Sequence, residues 1–140
     1  MVGQTQEEAA MSETPTGRFC WYELMTTNPD AAPTLYGAIA RWGTTPFEGA
    51  DPPYTTWTNG ETLIGGLMQL PQEAIDGGAP SHWLVHLYSR VPGVADAVEK
   101  VKESGGQVLS GPMEVPGGDM VARCMDPEGV AFAVHSVARG

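Results

Sequence analysis

The hydrophobic pattern changes period several times along the chain. Residues 17–27, with Phe19, Cys20, Trp21, Tyr22, Leu24, Met25 and two Thr, are rich in aromatic and β-branched side chains and predict a strand. Asn28-Pro29-Asp30 then signals a helix start. With Asp30 as N-cap, Pro33 falls in the first turn, where it is tolerated, so the helix is expected over residues 31–42. Leu35, Ile39 and Trp42 would form its apolar stripe against a sheet. Residues 43–53 read as a loop by their Gly and Pro breakers. Residues 54–58 and 62–68 are two strands around Asn59-Gly60, a strong hairpin signal. Past a Pro- and Gly-marked linker at 71–81, the pattern begins again. A strand is expected at 82–88 and a helix at 94–104, with Val94, Val98 and Val101 on one face and Gly105-Gly106 at its end. Strands at 107–110, 120–124 and 130–137 follow.

Strand, helix and about three strands therefore occur twice, in halves of near-equal length. The expected fold class is α+β, with two βαβββ modules, residues 17–70 and 82–140, paired into one curved mixed sheet enclosing a cup. A ferredoxin-like sandwich uses the same elements in a different count. Residues 1–16 are polar and without apolar period, and are expected to be a disordered leader.

A chain of 140 residues suits one domain with a real core, and 18 Gly with 12 Pro suit many short strands joined by turns. The net charge of −10 argues against nucleic-acid or anionic-membrane partners. Cys20 and Cys124 are far apart and outside any C-x-x-C pair, so free thiols in a reducing compartment are expected. No basic, apolar leader and no long apolar run is present, so the expected location is cytoplasmic.

The end of the chain carries a more specific pattern. Asp126-Pro127-Glu128-Gly129 is a turn, and Val130-Ala131-Phe132-Ala133-Val134 after it alternates large and small apolar residues. This hairpin resembles the closing hairpin of the glyoxalase, bleomycin-resistance and extradiol-dioxygenase superfamily, the vicinal oxygen chelate fold. The opening stretch from Phe19 to Ala32 with Leu35-Tyr36-Gly37, and Ser81-His82-Trp83 with Gly105-Gly106-Gln107-Val108-Leu109, are similar to the two modules of that family. The resemblance implies a divalent metal held by His, Glu or Gln at four equivalent strand positions, with open positions for substrate oxygens. In this chain those positions fall on Trp21, on Ile64 or Gly65, on His86 or His82, and on Ala133. Most lack a donor, so no metal or other cofactor is expected. A shifted site built from Glu23, His82, His86 and His135 is the alternative.

Candidate residues follow from the strands themselves. Glu23 shares a strand face with Trp21 and, inside an apolar strand, must reach solvent, meet a partner, or be buried as an acid or base. His86 and His135 also lie in apolar strands and need partners, whereas His82 at a strand start suits a structural hydrogen bond. Trp21 and Trp57 suit either the core or the wall of a hydrophobic pocket. Gly65-Gly66 lies in no phosphate-binding frame and reads as close packing. The expected function is metal-independent binding of a small hydrophobic or aromatic molecule, with Glu23 and His86 as acid-base candidates and Trp21, Trp57, His82, Ala133 and His135 as ligand-binding candidates. The alternatives are a metal-dependent lyase, isomerase or dioxygenase and a drug-sequestering resistance protein. A monomer or a homodimer fits equally.

Overall fold

The computed structural model describes residues 17–47, 54–89, 93–115 and 118–136. The leader at 1–16 and the second half of the 43–53 loop lie outside the described residues. The elements follow the order β1 (Phe19–Thr26), α1 (Ala32–Ala40), β2 (Gly43–Pro46), β3 (Thr55–Asn59), β4 (Thr62–Gln69), α2 (Gln72–Asp76), β5 (His82–Tyr88), α3 (Val94–Glu103), β6 (Gln107–Glu114), β7 (Met120–Met125) and β8 (Ala131–Ser136). The βαβββ succession thus occurs twice, separated by the short α2 within the stretch expected as a linker. Two compact units are distinguished, residues 21–85 and residues 1–20 with 86–140.

Within residues 21–85 the strand order is β2-β3-β4-β1. The β1 and β4 strands run parallel, with Glu23 opposite Gly66, and the other pairs are antiparallel. The hairpin turn falls one residue later than expected, on Gly60-Glu61, because Asn59 pairs with Thr62, and Gly60 at its first position takes the positive φ of 63° that Gly tolerates. The expected loop at 43–53 instead begins as β2, paired with β3 from Gly43↔Thr58 to Pro46↔Thr55. An edge position explains this, because Pro46 there has no ladder bond to lose on its outer side. The Thr56 hydroxyl also donates to the Thr45 carbonyl at 2.9 Å.

The helix α1 corrects a second expectation. Its N-cap is Ala31 instead of Asp30, and it ends at Arg41, whose φ of 58° is left-handed, so Trp42 lies beyond it. Leu35 and Ile39 are 55 % and 69 % exposed. The face that packs on Leu24, Trp57 and Leu67 carries Ala32 and Tyr36. That rotation places the Tyr36 ring 5.4–5.8 Å from Trp42, Trp57 and Trp83, where aromatic area outweighs what the two aliphatic side chains offer.

In the other unit the order is β5-β8-β7-β6, with β5 and β8 parallel and the remaining pairs antiparallel. The amide of Gly17 donates to Tyr88 O, and Tyr88 N donates to Arg18 O. Val94, Ala97 and Val98 of α3 are buried against Ala122, Cys124 and Val134, with Val101 packed beside them, as the sequence stripe requires. The Asp126 carboxylate accepts from the amides of Glu128 at 3.0 Å and Val130 at 2.9 Å, and Gly129 takes φ 91°. These bonds close the turn before β8 by the mechanism its residues imply. No helix among the described residues is long and apolar enough to cross a membrane.

Candidate functional site

Two buried ionisable groups stand out, one in each unit. Glu23 is 4 % exposed. The hydroxyl of Tyr54 donates to its Oε2 at 2.8 Å and accepts the indole N–H of Trp21 at 3.2 Å. Trp21 and Glu23 share a face of β1, two residues apart, so one hydroxyl reaches both. The small residue opposite makes room for it. A Cβ on Gly66 would overlap the Tyr54 hydroxyl and lie 3.1 Å from Glu23 Cγ. At Gly65 a Cβ would stand 2.5 Å from the Tyr22 carbonyl, so both glycines serve close packing, as expected from sequence.

His86 is 3 % exposed and pairs with Ala133, while Tyr88 pairs with His135. The His86 Nδ1 lies 3.4 Å from His135 Nδ1, and His135 Nε2 lies 2.8 Å from Asp119 Oδ2. An ionised carboxylate only accepts, so His135 Nε2 carries hydrogen. In the neutral ring Nδ1 then accepts, and the His86 Nδ1–H is the donor. The result is a directed line from His86 through His135 to Asp119, which orients both rings. The Tyr88 ring meets His135 edge-on, with centroids 5.4 Å apart. Nearby, the Cys20 thiol is pushed up to about 12, by burial first and then by the Asp119 charge. Burial, with Cys20 and Asp119, raises Tyr88 as well.

The opposite face of the Glu23 strand is aromatic. Tyr22, Trp42, Trp57, Ile64, Gly65 and Trp83 line a cavity of about 340 Å³. Trp57 is fully buried, and its indole N–H has no hydrogen-bond acceptor among the described residues. A buried donor left in that state costs about 1–3 kcal/mol. The neighbouring indole of Trp83 donates to the Tyr36 hydroxyl at 3.2 Å.

The structure therefore gathers the sequence candidates into separate groups. Trp21 and Glu23 meet through Tyr54; His86, Ala133 and His135 meet across β5 and β8; Trp57 lies in the aromatic cluster on the other face of its unit. His82 donates from Nδ1 to the Pro80 carbonyl at 2.8 Å, a structural bond. Tyr54 and Asp119 were not singled out by sequence. Only the hairpin register, which pairs Val121 with His135, brings Asp119 within reach.

The sequence model of the Glyoxalase/Bleomycin resistance protein/Dioxygenase superfamily matches residues 4–134. The chain belongs to this superfamily. A Mycobacterium tuberculosis protein provisionally named glyoxylase CFP32 is 32 % identical over 120 residues, 85 % of this chain and 44 % of the relative. The anthracycline biosynthesis protein DauV of a Streptomyces species is 29 % identical over 138 residues, 89 % of this chain and 48 % of the relative. This superfamily member thus spans about half the length of these curated relatives. A solved structure of Streptomyces coelicolor methylmalonyl-CoA epimerase, in complex with 2-nitronate-propionyl-CoA, superimposes with a TM-score of 0.56 at 14 % identity. It covers 86 % of this chain and 94 % of the epimerase, a likeness of fold.

The donor set of this superfamily member does not fit the metal its resemblance implies. Trp21 is bonded to Tyr54, Ile64 and Gly65 line the aromatic cavity, and Ala133 stands opposite His86 with no donor atom. No group of three or more His, Cys, Asp or Glu side chains that could hold a metal ion occurs among the described residues.

Proposed function

We propose that this superfamily member works without a metal, binding a small hydrophobic or aromatic molecule and offering it buried acid-base groups. The observation that carries the reading is the register His86↔Ala133: the position beside the histidine holds a methyl group, while the same histidine is tied into the line to His135 and Asp119. A ring oriented in this way is suited to accept a proton, and His135 with Asp119 to stabilise the charge that results. Glu23, held by the Tyr54 hydroxyl, is the second acid-base candidate, acting in its own unit. A relative named for the biosynthesis of anthracyclines, which are polycyclic aromatic compounds, supports the ligand class. The net charge of −10 favours small-molecule partners over nucleic acid, and a cytoplasmic setting suits the two thiols.

Elemental analysis of protein purified without chelators tests the absence of metal, with stoichiometric metal as the overturning result. Turnover of a compound panel before and after EDTA treatment should then be the same. Glu23→Gln and His86→Gln should each abolish turnover and spare binding if the residue handles the proton. Compounds bound tightly and recovered unchanged would reduce the function to sequestration.

A further inference from the structure

Residues 21–85 enclose a second cavity, of about 380 Å³, beside the start of α1, with Asp30, Thr44, Thr55 and Gln69 as its polar walls. We propose that it binds a small molecule carrying one ammonium group and several hydroxyls, of the amino-sugar class.

Strand register aims the polar side chains into this space. Thr44 pairs with Trp57, Thr55 pairs with Leu67, and Gln69 stands two residues beyond Leu67 on β4. Paired residues share a face of a sheet, and so do alternate ones along a strand. Trp57 and Leu67 belong to the core on which Ala32 and Tyr36 of α1 pack. Thr44, Thr55 and Gln69 are therefore on the α1 side of the sheet, where Asp30 completes the wall just ahead of the helix. Thr44, Gln69 and Asp30 are exposed and Thr55 is half-buried, so a solute reaches these groups from water. The volume lies in the range of small-molecule pockets.

Charge selects the guest. Asp30 is the one ionisable side chain among the described residues that line the cavity. The start of α1 has no side-chain cap bond from it; the Asn28 carboxamide oxygen accepts the Ala31 amide at 3.3 Å instead. An anion would meet the Asp30 carboxylate and find few donors at the helix start, since Pro33 has no N–H and the Thr34 amide donates to the Ala31 carbonyl at 3.2 Å. An ammonium group suits the carboxylate, which only accepts hydrogen bonds. Beside it, the two Thr hydroxyls and the Gln69 carboxamide both donate and accept, which matches hydroxyls on the guest, and Pro33 and Leu67 offer its C–H face an apolar wall.

Glucosamine, glucose and glucuronate share one ring and differ in charge at about pH 6, where the amine is protonated. In protein labelled with nitrogen-15, glucosamine is expected to move the backbone amide signals of Thr44, Thr55 and Gln69 and the side-chain amide of Gln69. Glucose should move the same signals with an affinity about threefold lower, the share that an exposed ion pair supplies. Glucuronate should leave them in place. Asp30→Asn should bring glucosamine down to the affinity of glucose, and Thr55→Val should weaken both. If a variant fails to fold, the three affinities of the unaltered protein decide alone. Saturating glucosamine that leaves the Thr44, Thr55 and Gln69 signals in place overturns the site. Equal affinities for glucosamine and glucose overturn the ammonium class. Shifts confined to His86 and His135 overturn the site too, and would put the amine at the groups of the function proposed above.

Discussion

Gly66→Ala tests how the Glu23 group is assembled. The added Cβ would overlap the Tyr54 hydroxyl and crowd Glu23 Cγ at 3.1 Å. Tyr54 is the tip of a half-buried side chain, so it gives way before the backbone does. Its displacement breaks the 2.8 Å bond to Glu23 and the 3.2 Å bond from Trp21. A hydrogen bond to a carboxylate is worth about 1.5–3 kcal/mol, so a loss of about 2 kcal/mol is expected. For a chain of 140 residues that corresponds to a fall in Tm of about 7 °C. Tyr54→Phe removes the same two bonds and should cost a similar amount. Because both substitutions break one pair of contacts, the double variant should lose less than the sum of the two, the remaining cost of Gly66→Ala being the ring carbon of residue 54, 2.5 Å from the new Cβ. Urea and thermal unfolding of the four proteins read this cycle. A Gly66→Ala protein as stable as the parent, or a double variant whose losses add, would refute the reasoning.

The orientation of α1 gives a second test by stability: Tyr36→Ala should cost about 2–3 kcal/mol, while Leu35→Ser and Ile39→Ser should stay within about 0.5 kcal/mol. Equal losses at all three positions would restore the stripe expected from sequence. The Cys20 thiol, at about 12 in the folded protein against 9.0 ordinarily, should alkylate very slowly at pH 8, and Asp119→Asn should speed it; an unchanged rate removes the charge contribution. The sign for stability follows from the same shift. The folded state holds the thiol proton more tightly, so this contribution is complete below about pH 9 and is lost as pH rises toward 12, measurable as a loss in the parent that Cys20→Ser lacks.

Much of the fold was legible because its strands and α3 each satisfy one rule at a time. Gly60, one residue into its turn, and Asp126-Pro127-Glu128-Gly129 fix their turns by local chemistry, and Val94, Val98 and Val101 fix the buried face of α3. What escaped depended on partners distant in sequence. The edge strand β2 exists through its ladder with β3, and its Gly and Pro hid it. Leu35 and Ile39 formed a plausible stripe, but the rings of Trp42, Trp57 and Trp83 select Tyr36. The same holds for the candidate sites. Glu23, His86 and His135 were visible as polar residues in apolar strands, whereas Tyr54 and Asp119 acquire meaning only once register brings them to Glu23 and His135.

The division into two units sorts the natural reporter groups as well. All four tryptophans, at 21, 42, 57 and 83, belong to residues 21–85, and both cysteines, Cys20 and Cys124, belong to the other unit. Indole emission therefore follows the melting of one unit, and the accessibility of the Cys124 thiol, read in a Cys20→Ser protein, that of the other, without any added label. Whether the two curves coincide measures directly the cooperativity between the two units, and so whether a ligand gripped by one unit stabilises the other.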